Sequence, residues 1–314
     1  MKSFSVITST MNRADYLERV YLSLLNQNFD DFEWIVGDDG STDSTIEILK
    51  NLKKNAPFDM TIISASIRIG KPTIDNKMIE CAKGKYIIYC DSDDWLEPDA
   101  LLKFYESTKK FPNENTIGCF ALQKNNLFKK EYFRDNIPNP IRLIDLFFHK
   151  EKPSQDICIM AKSEYLKKNK FFECDFYIPE GYYWLLLENE KFVLINKFLQ
   201  NKEYLSKENI SFSKTIPYSR GKAYNILFSY NKIKFSFKTI EKYRFLLTFI
   251  RFSIHGEIVN EIFNKEFNFL TKLSLILLFP IGYLYAISDH FRFKVIKTHQ
   301  EYEKARDVVS FEYL

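Results

Sequence analysis

Strand-like and helix-like runs alternate over the first 125 residues, and this predicts an α/β fold with a mostly parallel mixed sheet covered on both faces. Two further observations support it. Carboxylates cluster at the ends of two apolar runs, where ligands of such sheets bind. From about residue 216 the sequence turns helical, basic and aromatic. Three parts are expected: 1-125 and 126-215 as two halves of one α/β domain, and 216-314 as a C-terminal, mainly α-helical region.

The strand-like runs are Phe4–Ser9, Phe32–Gly37, Met60–Ser64, Tyr86–Cys90 and Thr116–Leu122. Between them, Tyr16, Val20 and Leu24 recur every four residues after Asp15, and Ile46, Leu49 and Leu52 recur every three after Ser41-Thr42-Asp43. Ile74 and Met78 follow Pro72, while Leu101, Leu102 and Tyr105 follow Pro98-Asp99, so four helices are expected. Beyond residue 125 the pattern loosens. It gives a strand at Ile157–Met160, a helix from Ser163, a helix over Tyr182–Asn189 and a strand at Phe192–Asn196.

Hydrophobic residues make up 46% of the 314 and charged residues 27%, which excludes a disordered chain. Five scattered cysteines without a CxxC pair suit a reducing compartment and small apolar packing. The four histidines show no metal-binding spacing, and the sequence enters a strand at Phe4, so no signal peptide is expected. The net charge of +4 hides a division. Residues 1–100 carry 11 Lys/Arg against 17 Asp/Glu, and residues 191–251 carry 13 against 3. No nucleic-acid-binding signature accompanies the basic part, so nucleic acid is not expected as a partner, and an anionic membrane surface fits it better.

The most informative segment is Tyr86-Ile87-Ile88-Tyr89-Cys90-Asp91-Ser92-Asp93-Asp94-Trp95. Asp91 and Asp93, two apart, point to one side of extended backbone. Carboxylates so close repel unless a positive charge lies between them. Mg2+ or Mn2+ suits such a pair, because these ions combine carboxylates with substrate phosphates. A solvated acidic turn opening the next helix is the other reading. The second cluster, Asp38-Asp39-Gly40-Ser41-Thr42-Asp43, also follows an apolar strand. Its carboxylates can accept hydrogen bonds from a base N–H or ribose hydroxyls, and the same residues read equally as a helix-capping turn.

Taken together, these motifs resemble the family-two glycosyltransferases of the GT-A fold. Val6-Ile7-Thr8-Ser9-Thr10-Met11-Asn12-Arg13 looks like that family's first strand and Asn-Arg turn, and Asp38 to Asp43 like its nucleotide-binding signature. Arg68-Ile69-Gly70 and Asn76 are similar to its next segment, and Gly84 to Asp99 to the strand leading into its DxD motif. The resemblance is close over residues 3–105 and weaker to about 215. It implies a metal-dependent inverting transfer from a nucleotide-sugar, most often a UDP-sugar, to a saccharide or lipid-linked acceptor. Residues 1-125 would then be the nucleotide-sugar-binding half and 126-215 the acceptor-binding half. Asp93, helped by Asp91, would hold Mn2+ or Mg2+. Thr8 and Asp39 would meet base and ribose with Asp38 close by, and Arg68 and Lys71 would lie near the phosphates.

The resemblance also implies an acidic general base for the acceptor hydroxyl, often in a Glu-Asp pair. Here Tyr177-Ile178-Pro179-Glu180-Gly181 keeps Glu180 and places glycine where the Asp would be. Glu180 is the expected base, with Asp175 and Glu173 as alternatives, and a helix-capping Glu180 is the bland reading. Trp95 and Trp184 are candidates for sugar contact or for core packing. The apolar stretch Leu273–Ile287, roughly 22 Å as a helix, falls short of the ~30 Å hydrocarbon core, and Pro280 would bend it. Lying in a membrane interface is expected before spanning or burial. The implied role is cytoplasmic, on the inner face of a membrane, in the making of surface polysaccharide, capsule or lipooligosaccharide. A nucleotidyltransferase, a DxD phosphatase and an inactive nucleotide-sugar-binding subunit are the rivals.

Overall fold

The computed structural model describes residues 2–111, 115–125, 132–147, 156–174, 183–184, 187, 189–202, 219–233, 239–292 and 311–313. The chain divides into two compact units. The first comprises Met1–Asp175, Asn189–Leu205 and Lys304–Leu314, and the second Phe176–Glu188 and Ser206–Glu303.

The first unit is an α/β sandwich. Its early elements are β1 (Phe4–Thr10), α1 (Ala14–Leu25), β2 (Phe32–Asp38), α2 (Thr45–Asn55), β3 (Asp59–Ala65), α3 (Lys71–Cys81) and β4 (Tyr86–Tyr89). There follow β5 (Asp94–Leu96), α4 (Ala100–Thr108), β6 (Thr116–Asn125), β7 (Ile141–Arg142), α5 (Leu143–Phe147), β8 (Ile157–Lys162), α6 (Ser163–Lys168), β9 (Lys191–Lys202) and β10 (Phe311–Tyr313). The sheet order is β10-β3-β2-β1-β4-β8-β6-β9-β5, with β7 beside β9. β3, β2, β1 and β4 run parallel, as do β6 and β9. β10, β8, β5 and β7 pair antiparallel.

Period-two alternation explains how the two faces are filled. Even-numbered residues of the parallel strands (Phe4, Val6, Trp34, Val36, Ile62, Ile88) share one core with Leu17, Val20 and Leu24 of α1 and Leu49 of α2. α3 covers the opposite face. A side chain at Gly37 would come within 2.7 Å of Ile74 and 2.9 Å of Met78, so glycine lets α3 sit down on β2. Parallel strands covered on both faces put the polar strand ends, not the faces, in reach of ligand.

The sequence reading misses β5. Asp94-Trp95-Leu96 has no strand period of its own and becomes a strand through antiparallel pairing with Gln200–Lys202. The expected strand at Phe192–Asn196 extends to Lys202 for the same reason, supplying the partner. Most of the expected helix at Tyr182–Asn189 lies outside the described residues, although Tyr183 and Trp184 are helical.

The second unit is helical among the described residues, with α7 (Ser219–Ile233), α8 (Thr239–His255), a 3-10 turn at Val259–Phe263 and α9 (Phe269–Arg292). Leu227, Tyr230, Leu246, Phe249, Phe267 and Leu275 form its core. A side chain at Gly282 would meet Ile250 at 2.5 Å, so glycine brings α9 close against α8. Asp289 of α9 accepts both Arg251 nitrogens at 2.6 Å and pairs with His255 at 2.9 Å, which ties the two helices at their ends. The length expected for the apolar tail needs correction. α9 has 24 residues, about 36 Å, and it continues through Pro280, whose missing N–H ends no helix here. Its outward face is apolar and exposed, with Leu270, Leu277 and Leu284 at 69, 70 and 65%. Its other side, with Leu275 and Ala286, is buried.

Candidate active site at the strand ends

The first acidic turn is built around Gly40 and Asn12. Gly40 has φ of 72°, and a side chain there would lie 2.4 Å from the Ile67 carbonyl carbon and 2.5 Å from the Arg68 nitrogen, so only glycine fits. Asn12, with φ of 51°, accepts from the Thr42 amide at 2.8 Å, while its own amide donates to Ser41 Oγ at 2.8 Å. The Arg13 amide donates to Thr45 Oγ1 at 3.1 Å. The Asn-Arg turn after β1 is thereby stitched to the turn after β2.

Both carboxylates of this turn are committed to the fold. Asp38, 1% exposed, accepts from the Ser41 amide at 3.2 Å, from the Ser41 hydroxyl, and from Ser64 Oγ at 3.1 Å. Asp39, 5% exposed, takes the Ile69 amide at 2.7 Å and the Gly70 amide at 2.9 Å on one oxygen. It thereby holds the Arg68-Ile69-Gly70 segment beside the strand end. Burial raises the Asp39 carboxyl to about 6, against the pull of those two amides and of the Arg68 charge. Thr8 is fully buried, and its hydroxyl accepts from Trp34 Nε1 at 2.9 Å.

The second acidic turn is balanced differently. Asp91 Oδ1 lies 3.5 Å from Lys71 Nζ, and Lys71 also donates to Asp75 at 2.9 Å. Asp93 Oδ2 lies 3.8 Å from the Arg13 guanidinium, and the Asp93 carbonyl accepts from Arg19 Nη2 at 2.7 Å. Burial works against ionisation of Asp91, but Lys71, Lys202 and Arg13 outweigh it and hold the carboxyl below its ordinary value. Asp93 is pushed up, first by burial and then by the charge of Asp91. Two neighbouring carboxylates thus share a limited positive charge.

Asp94 does not join them. It is 2% exposed and turned into the sheet, where Oδ2 accepts from Gln123 Nε2 at 2.8 Å and Gln200 Nε2 at 2.7 Å. Burial raises its carboxyl well above the usual range, and Asp91 adds to the effect. Asp91 and Asp93 therefore form a pair in the turn, as their spacing predicts, with Asp94 buried beneath it. Gln123, Gln200 and Lys202 escape a linear reading, because only the β6–β9–β5 register brings them here. Their one sequence signal is polarity near the ends of apolar strands.

The donor set fits a hard divalent cation. Among the described residues no group of three or more His, Cys, Asp or Glu could hold a metal alone. Two carboxylates completed by phosphate oxygens and water is the arrangement Mg2+ and Mn2+ accept. The like-charge elevation of Asp93 is the repulsion such an ion would relieve.

Trp95 is half-buried, with the Arg19 guanidinium 4.2 Å from its ring, and it lines a groove of about 480 Å3 along α1 with Glu18, Leu22 and Asn26. Trp184 is buried and packs edge-on against Tyr183 at 5.2 Å. Glu173 accepts from Asn76 Nδ2 at 3.2 Å, and Asn76 exchanges two further hydrogen bonds with the Phe171 backbone. Glu180 and Asp175 lie outside the described residues.

A parallel sheet whose strand ends carry these two acidic turns is the arrangement the family-two resemblance implies, and comparison with known proteins agrees on the family. Residues 5–168 match glycosyl transferase family 2, and the chain belongs to that family. It is 28% identical over 197 residues to the GalNAc(5)-diNAcBac-PP-undecaprenol beta-1,3-glucosyltransferase of Campylobacter jejuni, covering 63% of each chain. The match thus spans less than two thirds of that relative. The fold is similar to that of S. aureus TarS 1-349 in complex with UDP-GlcNAc, with TM-score 0.57, 18% identity and coverage of 93% and 92%. It is also similar to that of a mannosyltransferase from Pyrobaculum calidifontis in complex with GDP-Man and Mn2+, with TM-score 0.51, 14% identity and coverage of 92% and 84%. The fold is GT-A.

Proposed function

We propose that this protein is an inverting, divalent-cation-dependent glycosyltransferase. It moves a sugar from a nucleotide-sugar, preferentially a UDP-sugar, to a saccharide or lipid-linked acceptor in the making of a surface polysaccharide. The observation that carries this reading is the contrast between the two acidic turns. The Asp38-Asp39 turn is saturated by the fold and gives a rigid wall for a nucleoside. Among the described residues the Asp91/Asp93 turn is countered chiefly by the tips of long side chains, which a cation and a diphosphate can replace. The C. jejuni relative, named for a lipid-linked acceptor, supports the acceptor class.

A bound Mn2+ or Mg2+ would neutralise the charge that builds on the departing diphosphate, with Asp93 and Asp91 as its protein ligands. Arg68, held in place by Asp39, would face the phosphates, with Lys71 at the start of α3 beside it. Asp38 and Asp39 would shape the ribose and base site, and Thr8, bonded to Trp34, would support it from below. Glu180 would take the proton of the acceptor hydroxyl, and Asp175 and Glu173, the latter held by Asn76, are the alternatives. Replacing the base with Gln should lower transfer by about 100- to 10,000-fold and leave UDP affinity nearly unchanged. Single-turnover transfer by Glu180→Gln and Glu173→Gln decides between them.

The helical unit would rest on the cytoplasmic face of an anionic membrane. α9 packs one side against α8 through Gly282 and Asp289 and turns a continuous apolar side outward. Lys265 and Lys272 stand at its start and Arg292 at its end. A helix packed along one side suits the interface plane better than a crossing. Wild type should float with phosphatidylglycerol vesicles, and a Leu277→Ser, Leu284→Ser variant should stay in solution. A wild type that ignores both anionic and neutral vesicles would remove this part. The activity itself is tested by a panel of nucleotide-sugars with undecaprenyl-linked acceptors, with Mn2+ or EDTA. Transfer from one donor in Mn2+ is expected. Release of sugar 1-phosphate in place of nucleoside diphosphate would overturn it in favour of nucleotidyl transfer.

A further inference from the structure

Lys202 is the cation that no sequence motif announces. It ends β9 directly opposite Asp94 in the antiparallel register. Gln200, two residues earlier on the same face, donates to Asp94, so Lys202 projects over the side of the sheet that carries that buried carboxylate. Its ammonium pairs with Asp156 at 3.1 Å, just ahead of β8. The Lys202 side chain is 18% exposed and that of Asp156 53%. Asp94 directly follows Asp93, so this register sets the end of β9 next to the acidic turn.

This placement is awkward for a site that takes a bare metal ion. An ammonium at the strand end next to two carboxylates competes with the cation for them. The conflict disappears when cation and diphosphate arrive together, because the phosphates bring the negative charge that the ammonium then faces. A lysine ammonium suits that task as a compact point charge on a flexible stem. We infer that Lys202 is a diphosphate-binding residue which makes the Asp91/Asp93 site accept its divalent cation together with the nucleotide and disfavour the cation alone. Asp156 acts as a parking partner, drawing part of the ammonium charge away from the turn. The inference rests on the nucleotide-sugar reading above.

The two effects of Lys202 have opposite signs, which a merely structural ion pair would not produce. Calorimetry with MnCl2 alone, with UDP plus Mn2+ and with uridine plus Mn2+ measures them directly. Lys202→Met should bind Mn2+ alone more tightly than wild type and UDP with Mn2+ about 10- to 100-fold more weakly. Uridine binding should not change, and Lys202→Arg should restore the wild-type order. Asp156→Asn keeps the lysine and removes its parking partner, so Mn2+ alone should bind more weakly while UDP with Mn2+ binds at least as well. The inference is overturned if Lys202→Met binds UDP with Mn2+ like wild type. It is equally overturned if that variant loses Mn2+, uridine and UDP together, or if Asp156→Asn weakens UDP. A wild type that binds no UDP at all would instead remove the nucleotide-sugar reading beneath it.

Discussion

The two acidic turns of the sheet look alike in sequence and are held in opposite ways. Asp38 and Asp39 are almost wholly enclosed and accept backbone amides and serine hydroxyls from their own neighbourhood. Asp91 and Asp93 instead face Lys71 and Arg13, cations from distant segments, at 3.5 and 3.8 Å. Short-range amide bonds fix a carboxylate for good. Long-stemmed cations hold one provisionally, and a better cation can displace them. An acidic motif therefore reads as scaffold or as ligand according to what satisfies it, and its position after a strand does not decide the matter.

The contrast can be broken most sharply at Asp93. Asp93→Ala should abolish transfer and Mn2+-dependent UDP binding, yet leave thermal stability unchanged or slightly raised, because Asp91 loses a like-charged neighbour. A variant that keeps full activity, or one that unfolds, would place Asp93 in the scaffold class.

Asp39 offers the next largest effect. Burial pushes its carboxyl up to about 6 in the folded protein from the ordinary 3.8, so between those values the folded state holds a proton that the unfolded chain has released. Stability from this group is therefore lost as pH rises from about 3.8 through 6 and is flat above. Asp39→Asn keeps an oxygen for the Ile69 and Gly70 amides and carries no charge. Its stability relative to wild type should climb across that window by up to about 3 kcal/mol. Denaturant melts at pH 4 and 7 measure the difference, and a pH-independent offset would show that Asp39 is not held against its charge.

Asp38→Ala leaves the Ser41 amide and Ser64 hydroxyl without their acceptor and should lower stability by about 2 kcal/mol. An unfolding midpoint equal to that of wild type would make the turn less tightly bound than its geometry says. Gly40→Ala, forced to φ of 72° and against the Ile67 backbone, should destabilise by about 1–2 kcal/mol. A neutral result there would mean that the turn relaxes without loss.

Much of the parallel half was legible before any coordinates. Phe4–Ser9, Phe32–Gly37, Met60–Ser64 and Tyr86–Cys90 announce themselves by apolar period, and the glycines and capping residues between them punctuate it. The pairing of Asp91 with Asp93, and not with Asp94, also follows from a spacing of two. β5 and its surroundings were not legible. Trp95 and Leu96 become strand only because β9 comes back beside them, and the distance along the chain hides Gln123, Gln200 and Lys202 from any local pattern. The tail was misjudged in length for a different reason. Apolar composition marked Leu273–Ile287, while the helix itself extends over Phe269–Arg292 because Thr271 and Asp289 are buried on its packed side.

The central claim is that Asp91 and Asp93 form a displaceable site which takes a nucleoside diphosphate together with a divalent cation. Titration of UDP into wild type and Asp93→Asn, each in Mn2+ and in EDTA, tests it directly. Wild type should bind in Mn2+ and lose that binding in EDTA, and Asp93→Asn should bind in neither while melting like wild type. Equal UDP binding by wild type in EDTA, or undiminished Mn2+-dependent binding by Asp93→Asn, would contradict it.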